Sequence, residues 1–201
     1  MIIIGYSGHA FVACGILTAA GHPITGYCDK EEKVYNPFGL QYYGSEFSNE
    51  ALAAMKENGG FIAIGINSLR NNIYDELSVK QIRFLNAIHP SAVIDPSATI
   101  SPSAVMIAAN VTINPLAKIG TGVICNTACI IEHECVVGDF AHIGPGAVLC
   151  GNVKVGKQSF IGANAVIRQG ITIGANATIG AGSVVVKNVP DNVTVVGVPA
   201  K

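Results

Sequence analysis

The stretch that decides the fold is residues 143–180, IGPGAVLCGNVKVGKQSFIGANAVIRQGITIGANATIG, in which an apolar residue returns every six positions. The period extends in both directions and covers fourteen consecutive positions: Ile107, Ile113, Ile119, Cys125, Ile131, Val137, Ile143, Leu149, Val155, Ile161, Ile167, Ile173, Ile179 and Val185. Because 50% of the residues are hydrophobic, chance produces such a run only about once in ten thousand trials. A fixed short period indicates a solenoid of stacked repeats.

The residues around each apolar position indicate how one repeat is built. The residue two positions earlier is small or β-branched at Val111, Ala117, Val123, Ala141, Ala147, Ser159, Ala165, Ala177 and Ser183. The alternation of a β-strand points both residues of each pair inward. A glycine follows the apolar residue at Gly120, Gly138, Gly144, Gly156, Gly162, Gly174 and Gly180, and we expect these glycines to supply positive φ at the corners. Three hexapeptides then close one triangular coil of a parallel β-solenoid.

Upstream of these repeats, Ile88, Ile94 and Ile100 keep the six-residue spacing but are shifted by one residue. Stacked triangular coils form a prism, and this pattern predicts an imperfect first coil that caps it. Residues 1–88 lack the period and alternate short apolar runs with helical stretches, including a last strand over residues 83–88. That order is typical of a small Rossmann-like parallel sheet. The sequence thus predicts an α/β domain over residues 1–88 and a β-solenoid domain over residues 89–201.

Composition excludes several classes of protein. The net charge is −1 and no basic run occurs, so a nucleic-acid partner is not expected. The uncharged first twenty residues lack the basic start of a secretory signal, and Gly5, Ser7, Gly8 and His9 interrupt their apolar run. Six cysteines without a C-x-x-C pair predict buried thiols in a reducing cytoplasm. We expect no membrane partner. Only 12% of residues are charged, which favours an oligomer.

The first strand runs into a glycine turn, Gly5 to Gly8, that opens the first helix. Such a turn lets a phosphate approach the amino end of the helix. Asp29 and Lys30 end the second strand, where folds of this kind contact a ribose or base. The spacing departs from G-x-G-x-x-G, which argues against NAD. The alternative is a glycine turn that only packs a helix against the sheet.

A third loop follows the strand at residues 61–66. Its Gly65, Asn67 and Arg70 are expected at the same sheet edge, where Arg70 would contact a diphosphate. The alternative for Arg70 is a solvated residue in the first turn of the helix.

Within the repeats, Glu132-His133-Glu134 interrupts an uncharged stretch. His133 lies two residues after the inward Ile131 and therefore at an exposed corner. An imidazole held by a carboxylate is a candidate general base, and the residues alone do not choose between Glu132 and Glu134. His142 precedes an inward residue and should face outward on a flat side, with a second role at the same cleft. A catalytic zinc needs three converging imidazoles, and the repeats hold only two, so no metal is expected.

These residues indicate a resemblance to a known family. The chain resembles the sialic-acid and bacillosamine-type sugar acetyltransferases over essentially its whole length. The stretches that carry the likeness are IIIGYSGHA at the start, residues 27–30, AIHPSAVI, NTACIIEHECVVGDFAHIGPGAVLCGNVKVG and the terminal VGVPAK. The resemblance implies a Rossmann-like domain followed by a left-handed parallel β-helix, whereas periodicity alone gives only a parallel solenoid.

The resemblance also implies roles for individual residues. His133 would be the general base and Glu134 the acid that polarises it. Acetyl-CoA would be the co-substrate, bound by His142, Gly151, Ala163 and Ala181, with the Gly151 amide as oxyanion donor. A nucleotide sugar would bind at Ser7, Gly8, His9, Asp29 and Lys30, and our extension of that site adds Gly65, Asn67 and Arg70. The family commonly has paired acids where this chain has Asp29-Lys30, so uridine is only the default base.

The expected activity is N-acetylation of a nucleotide-linked amino-deoxy sugar, with UDP as the default nucleotide, in bacterial surface glycan synthesis. A single prism corner offers no deep pocket, so we expect active sites between the subunits of a homotrimer. Two alternatives stay open: O-acetylation of a sialic acid hydroxyl, and a scaffold that binds a nucleotide sugar without catalysis.

Overall fold

The computed structural model describes all residues, 1–201. Its amino-terminal part alternates short strands with three helices, as the sequence predicts. The elements are β1 (Ile2–Ile4), α1 (Gly8–Ala19), β2 (Gly26–Cys28), β3 (Gln41–Tyr42), α2 (Asn49–Asn58), β4 (Gly60–Ile62) and α3 (Asn67–Val79). None of these helices has the length and apolar character needed to cross a lipid bilayer.

The strands form one parallel sheet in the order β3-β2-β1-β4. Residues of β1 face both ways: Ile3 packs in the core that holds α1, while Ile2 and Ile4 pack with α2 and α3. The helices therefore cover both faces of the sheet, as a buried parallel sheet requires. Local signals fix α2, because Ser48 Oγ accepts from the Ala51 N–H at 3.1 Å and Gly59 ends the helix at φ 73°.

The strand expected over residues 83–88 is divided between the two halves of the chain. Phe84 forms a single parallel bridge to Gly60 at the edge of the amino-terminal sheet. Ala87–Ile88 instead pairs with Met106–Ile107 of the solenoid. The domain boundary after Ile88 stays a prediction, but solenoid pairing starts just before it.

The remaining strands are two residues long and stack in parallel. In chain order they are β5 (Ala87–Ile88), β6 (Val93–Ile94), β7 (Thr99–Ile100), β8 (Met106–Ile107), β9 (Thr112–Ile113), β10 (Lys118–Ile119), β11 (Ile124–Cys125), β12 (Ile130–Ile131), β13 (Val136–Val137), β14 (His142–Ile143), β15 (Val148–Leu149), β16 (Lys154–Val155), β17 (Phe160–Ile161), β18 (Val166–Ile167), β19 (Thr172–Ile173), β20 (Thr178–Ile179), β21 (Val184–Val185) and β22 (Thr194–Val195).

These strands make the three faces of a left-handed parallel β-helix. The seven-stranded face contains β5, β8, β11, β14, β17, β20 and β22; the six-stranded face contains β6, β9, β12, β15, β18 and β21; the five-stranded face contains β7, β10, β13, β16 and β19. Each turn of the chain visits the three faces in that order. The seven-stranded face therefore lies opposite the corner that joins the other two.

The inward positions are confirmed. All fourteen apolar residues of the period are buried, as are the nine small or β-branched residues two positions before them. The first coil is also confirmed, because Ile88, Ile94 and Ile100 pair with Ile107, Ile113 and Ile119. Each of these pairs spans nineteen residues instead of eighteen, which explains the one-residue shift.

The role expected for the repeat glycines is wrong. Positive φ occurs three residues after the inward apolar residue, at positions such as Asn110 and Asn164, and not at the glycine that follows it directly. The glycines are needed for close stacking instead. A Cβ on Gly144 would lie 2.6 Å from Ile161 O, and one on Gly162 would lie 2.5 Å from Ala181 N. Successive coils could not approach this closely with a side chain there.

Candidate active site

His133 lies at the corner between β12 and β13, where the six-stranded face turns into the five-stranded face. Its side chain is 57% exposed. Its Nδ1 lies 3.1 Å from Glu134 Oε2, whereas Glu132 makes no hydrogen bond to the ring. Glu134 occupies the positive-φ position of this corner, at φ 61°. Its backbone is held by an N–H bond to Pro115 O at 3.0 Å.

The residue stacked one coil beyond His133 is Gly151. An ideal Cβ at Gly151 would lie 2.5 Å from both Cε1 and Nε2 of the imidazole, so the ring rests directly against this backbone. The Gly151 N–H donates to no acceptor within the chain, while the neighbouring Asn152 N–H donates to His133 O at 2.8 Å. The corner therefore presents a free backbone donor next to a polarised imidazole.

The surroundings of His133 form a shallow groove of about 290 Å³. His133, Gly151, Asn152, Gln169 and Gly170 line it, and none of them is hydrophobic. A groove with only one wall is open to water, and a reaction that must exclude water would need a second wall.

His142 points away from the prism core, as predicted, but it is not on an open surface. The amino-terminal domain covers it, and it is only 8% exposed. Its ring lies against Phe160, with centroids 5.1 Å apart, and 6.0 Å from the ring of His9. Asn126 Nδ2 lies 3.2 Å from His142 Nε2. His142 Nδ1 and His9 Nε2 are both buried without a hydrogen-bond partner.

Burial controls the charge of these two histidines. Loss of solvent, with smaller contributions from the nearby Arg70 cation and from His9, lowers the pKa of His142 to about 4. Burial, and to a smaller extent the Arg70 cation, lowers the pKa of His9 to about 4 as well. Both rings are therefore neutral near pH 7.

Within the chain, His142 does not share a cleft with His133, contrary to the prediction. His142 lies on the seven-stranded face, and His133 lies at the corner opposite that face. The triangular cross-section separates them by the whole width of the prism. Half a coil in sequence is thus a change of face and not a neighbouring position.

The other predicted acetyl-CoA residues also divide between two corners. Gly151 lies with His133. Ala163 and Ala181 follow β17 and β20, at the corner where the seven-stranded face turns into the six-stranded face. They occupy equivalent positions in successive coils, on the side of the prism that carries His142.

A second cavity, of about 340 Å³, lies at the carboxyl end of the amino-terminal sheet. It brings together four of the residues predicted to bind the nucleotide sugar: Ser7, Asp29, Lys30 and Gly65. Gly8 starts α1 beside it, while His9 points towards His142. Gly5 and Tyr6 of the predicted glycine turn line the cavity as well, whereas sequence reasoning missed Glu46, Ala63, Ile64, Ile66, Leu69 and Ile73. We call this cavity the nucleotide pocket, after the ligand that the sequence predicts for it.

Asp29 is committed largely to local structure. Its carboxylate accepts from the Tyr6 N–H at 2.8 Å and the Lys30 N–H at 2.7 Å. It also pairs with Lys33 Nζ at 3.2 Å. Asp29 thereby ties the end of β2 to the turn after β1, and that turn forms one rim of the nucleotide pocket.

Arg70 does not lie where the sequence analysis placed it. The side chain is fully buried, and its guanidinium is bonded to oxygen atoms of the protein itself. It is outside the nucleotide pocket and cannot meet a diphosphate. Asn67 also faces the β-helix, because its Nδ2 donates to Gln158 O at 2.9 Å. Both residues join the two halves of the chain, a role that no local sequence signal reveals.

A left-handed β-helix of hexapeptide repeats, with a polarised histidine at a corner, defines a bacterial hexapeptide transferase. The hexapeptide models confirm this class, matching residues 134–169 and 152–187. The PglD N-terminal domain matches residues 1–77. No three His, Cys, Asp or Glu side chains are grouped as metal ligands.

Solved structures of similar proteins agree over the whole chain. A histidine-to-asparagine mutant of perosamine N-acetyltransferase from Caulobacter crescentus, in complex with CoA and GDP-perosamine, is 37% identical, with a TM-score of 0.93 over 100% of this chain and 94% of that one. The acetyltransferase domain of PglB from Neisseria gonorrhoeae, in complex with acetyl coenzyme A, is 33% identical, with a TM-score of 0.92 over 100% and 97%. The chain therefore belongs to the nucleotide-sugar N-acetyltransferase family of hexapeptide-repeat proteins.

Proposed function

We propose that the protein transfers an acetyl group from acetyl-CoA to the amine of a nucleotide-linked amino-deoxy sugar, in bacterial surface glycan synthesis in the cytoplasm. The observation that carries this proposal is the corner where Glu134 holds one nitrogen of His133 and the free Gly151 amide lies against the ring. The similar proteins from Caulobacter and Neisseria, which bind CoA or acetyl-CoA, support the choice of donor.

The chemistry follows from the atoms at the corner. Glu134 accepts a hydrogen bond from His133 Nδ1–H, which leaves Nε2 unprotonated. His133 Nε2 can then accept a proton from the sugar amine as the amine nitrogen attacks the thioester carbonyl. A C–N bond forms, and the carbonyl oxygen becomes an oxyanion that the Gly151 N–H stabilises. The C–S bond then breaks, and the CoA thiolate leaves and takes the proton from the imidazolium. Glu134 stabilises that imidazolium while it lasts.

The complete site needs two copies of the chain. The nucleotide pocket and His142 lie on the side of the prism opposite His133, so one protomer cannot bring a bound sugar to its own general base. We infer that the corner of one β-helix faces the seven-stranded side of the next, within a homotrimer. His133, Glu134 and Gly151 then come from one subunit. His142, Ala163, Ala181 and the amino-terminal domain come from its neighbour and form the missing wall.

The nucleotide pocket has the dimensions and chemistry for a nucleotide. The turn after β1 and the amino end of α1 offer backbone N–H groups for phosphate. Ile64, Ile66 and Leu69 provide an apolar wall for a base. The resemblance makes uridine the default base, and the Caulobacter relative is a complex with GDP-perosamine. We therefore take UDP as the default and GDP as the comparison.

A direct assay tests the proposal. The protein is incubated with acetyl-CoA and a panel of UDP- and GDP-linked amino-deoxy sugars, release of the CoA thiol is followed, and products are analysed by mass spectrometry. We expect one acetyl group on the amine of one nucleotide sugar, and loss of this product in His133→Ala. Acetylation of free sialic acid instead would establish the O-acetyltransferase alternative. Nucleotide-sugar binding without transfer to any acceptor would establish the scaffold.

A further inference from the structure

Arg70 crosses the junction between the two halves of the chain. From α3 it donates through Nε to Gly122 O at 2.8 Å and through Nη2 to Phe140 O at 2.7 Å, both in the β-helix. Through Nη1 it donates to Ile64 O at 2.9 Å and Gly65 O at 3.3 Å, both in the amino-terminal domain. A further Nη2 bond to Asn67 Oδ1 measures 2.9 Å.

The charge of Arg70 is buried without a carboxylate partner. Burial lowers the pKa of the guanidinium to about 9, so it is still a cation near neutral pH. Only uncharged oxygens, four of them backbone carbonyls, stabilise it. A buried cation is costly unless every donor is satisfied. Lysine cannot substitute, because its three donors leave from one point, whereas the planar guanidinium reaches carbonyls on opposite sides.

The carbonyls that Arg70 holds belong to functional walls. Ile64 and Gly65 line the nucleotide pocket. Gly122 and Phe140 lie at the corner from which the chain enters the seven-stranded face, and the strand after Phe140 starts with His142. Asn67 extends the contact, since its Nδ2 donates to Gln158 O at 2.9 Å and Ser159 O at 3.2 Å.

We propose that Arg70 is a positioning residue that fixes the Ile64–Gly65 wall of the nucleotide pocket against the β-helix and thereby sets where the nucleotide-linked sugar lies relative to the acetyl-transfer groups. This inference rests on the proposed function, in that it assumes a nucleotide in that pocket. It assigns no substrate contact to Arg70 itself. Of the residues proposed to bind acetyl-CoA, only His142 adjoins an Arg70 contact, through Phe140, so acetyl-CoA binding should depend on Arg70 less than nucleotide-sugar binding does.

Arg70→Lys, Arg70→Met and Arg70→Ala test the proposal, with exposed Arg83→Met as the matched control. In the intact oligomer, Arg70→Lys and Arg70→Met should raise KM for the nucleotide sugar about tenfold or more, because several charge-assisted hydrogen bonds are lost. KM for acetyl-CoA should rise by a clearly smaller factor, because Gly151, Ala163 and Ala181 make no hydrogen bond with Arg70. Millimolar guanidinium should restore nucleotide-sugar affinity to Arg70→Ala, whereas ammonium should not. Arg83→Met should behave as the wild type.

Three outcomes would overturn the proposal: a wild-type KM for the nucleotide sugar in Arg70→Met, an equal rise in both KM values, or full activity in Arg70→Lys. If the Arg70 variants do not fold, Asn67→Ala replaces them. It should raise KM for the nucleotide sugar several-fold, and an unchanged value would contradict the proposal. Calorimetry of UDP and GDP binding tests the role of Arg70 without requiring acetyl transfer. Arg70-dependent nucleotide binding by a wild-type protein that transfers no acetyl group would leave the inference intact and remove the proposed function.

Discussion

His133 and His142 are separated by one and a half hexapeptides in the chain, yet the molecule places them in opposite surroundings. The His133 side chain is 57% exposed at a corner and faces a carboxylate. His142 is 8% exposed under the amino-terminal domain, beside the Arg70 cation and away from any carboxylate. Surroundings of the first kind favour an imidazole that gains and loses a proton. Those of the second kind favour a ring that stays neutral and acts through hydrogen bonds.

The two histidines also depend on the fold in different ways. The corner of His133 is built from one coil and its successor, so its geometry is local. The surroundings of His142 require the amino-terminal domain, the β-helix and Arg70 together. Changes at the corner should therefore affect catalysis with little effect on stability, whereas changes around His142 should affect both.

The largest effect is expected for His133→Ala. Removal of a general base should lower kcat by about a thousandfold, while the free energy of unfolding should change by less than about 0.5 kcal/mol because the side chain is exposed. Steady-state kinetics and chemical denaturation measure the two quantities. Exposed His22→Ala is the matched control and should leave both unchanged. Normal acetyl transfer by His133→Ala would remove the general-base assignment.

The second prediction concerns the pH dependence of stability. The folded-state pKa of His142, about 4, lies below the ordinary 6.5, so the unfolded chain takes up the proton first as the pH falls. The contribution of the neutral ring is complete above pH 6.5 and is lost between there and about 4. Between about pH 7 and about pH 5, wild type should lose on the order of 2 kcal/mol more stability than His142→Gln. Identical slopes for the two proteins in denaturation curves would contradict the buried, neutral ring.

Gly151→Ala should displace the His133 ring while leaving the imidazole itself unchanged. The new Cβ would lie 2.5 Å from Nε2 and Cε1, so the ring must move away from the Gly151 amide. We expect kcat to fall about a hundredfold, the effect of misplacing a catalytic group by about 1 Å. Gly15→Ala in α1, where a Cβ meets nothing within 4 Å, is the control. Wild-type kinetics in Gly151→Ala would mean that the ring does not work from its observed position.

The smallest effect is expected for Glu134→Gln, which keeps the shape of the side chain but loses its charge. Because the side-chain oxygen of the new glutamine can still accept the hydrogen bond from His133 Nδ1, the ring keeps its orientation and only the charge is lost, so kcat should fall about tenfold. Glu132→Gln should change kcat less than about twofold, since Glu132 does not contact the ring. Kinetics of the two variants side by side decide between the carboxylates, and a larger loss in Glu132→Gln would reverse the assignment.

The fold was predictable because its information is local and repeated. Each inward residue of the period, from Ile107 to Val185, could be read directly from the spacing. The left hand came from family resemblance, because spacing does not carry it. The sequence indicates where the repeat glycines lie but not why glycine is needed there, because the stacking distance between coils is not visible within one hexapeptide. The strand β3 was missed because two residues carry no period.

The candidate site was predictable only in part, because it depends on how elements pack. His133 could be singled out because two acids flank it in an uncharged region. The prediction for Arg70 is wrong, since a loop arginine has the same local sequence whether it faces solvent or the β-helix. Glu46 and Leu69, which line the nucleotide pocket, gave no signal because their residue types are ordinary for helix ends. The separation of His142 from His133 emerged only when strands were assigned to faces.

The most direct test of the account is complementation between subunits. His133→Ala and His142→Ala are each expected to be inactive as homo-oligomers; the two are unfolded together, refolded as mixed oligomers, and assayed for acetyl transfer. If one subunit supplies His133 and its neighbour supplies His142, about a quarter of the interfaces in a random mixed trimer are intact, and activity should return to about that fraction of wild type. Mixed oligomers that form, as shown by native mass spectrometry, but stay inactive would contradict a site shared between subunits.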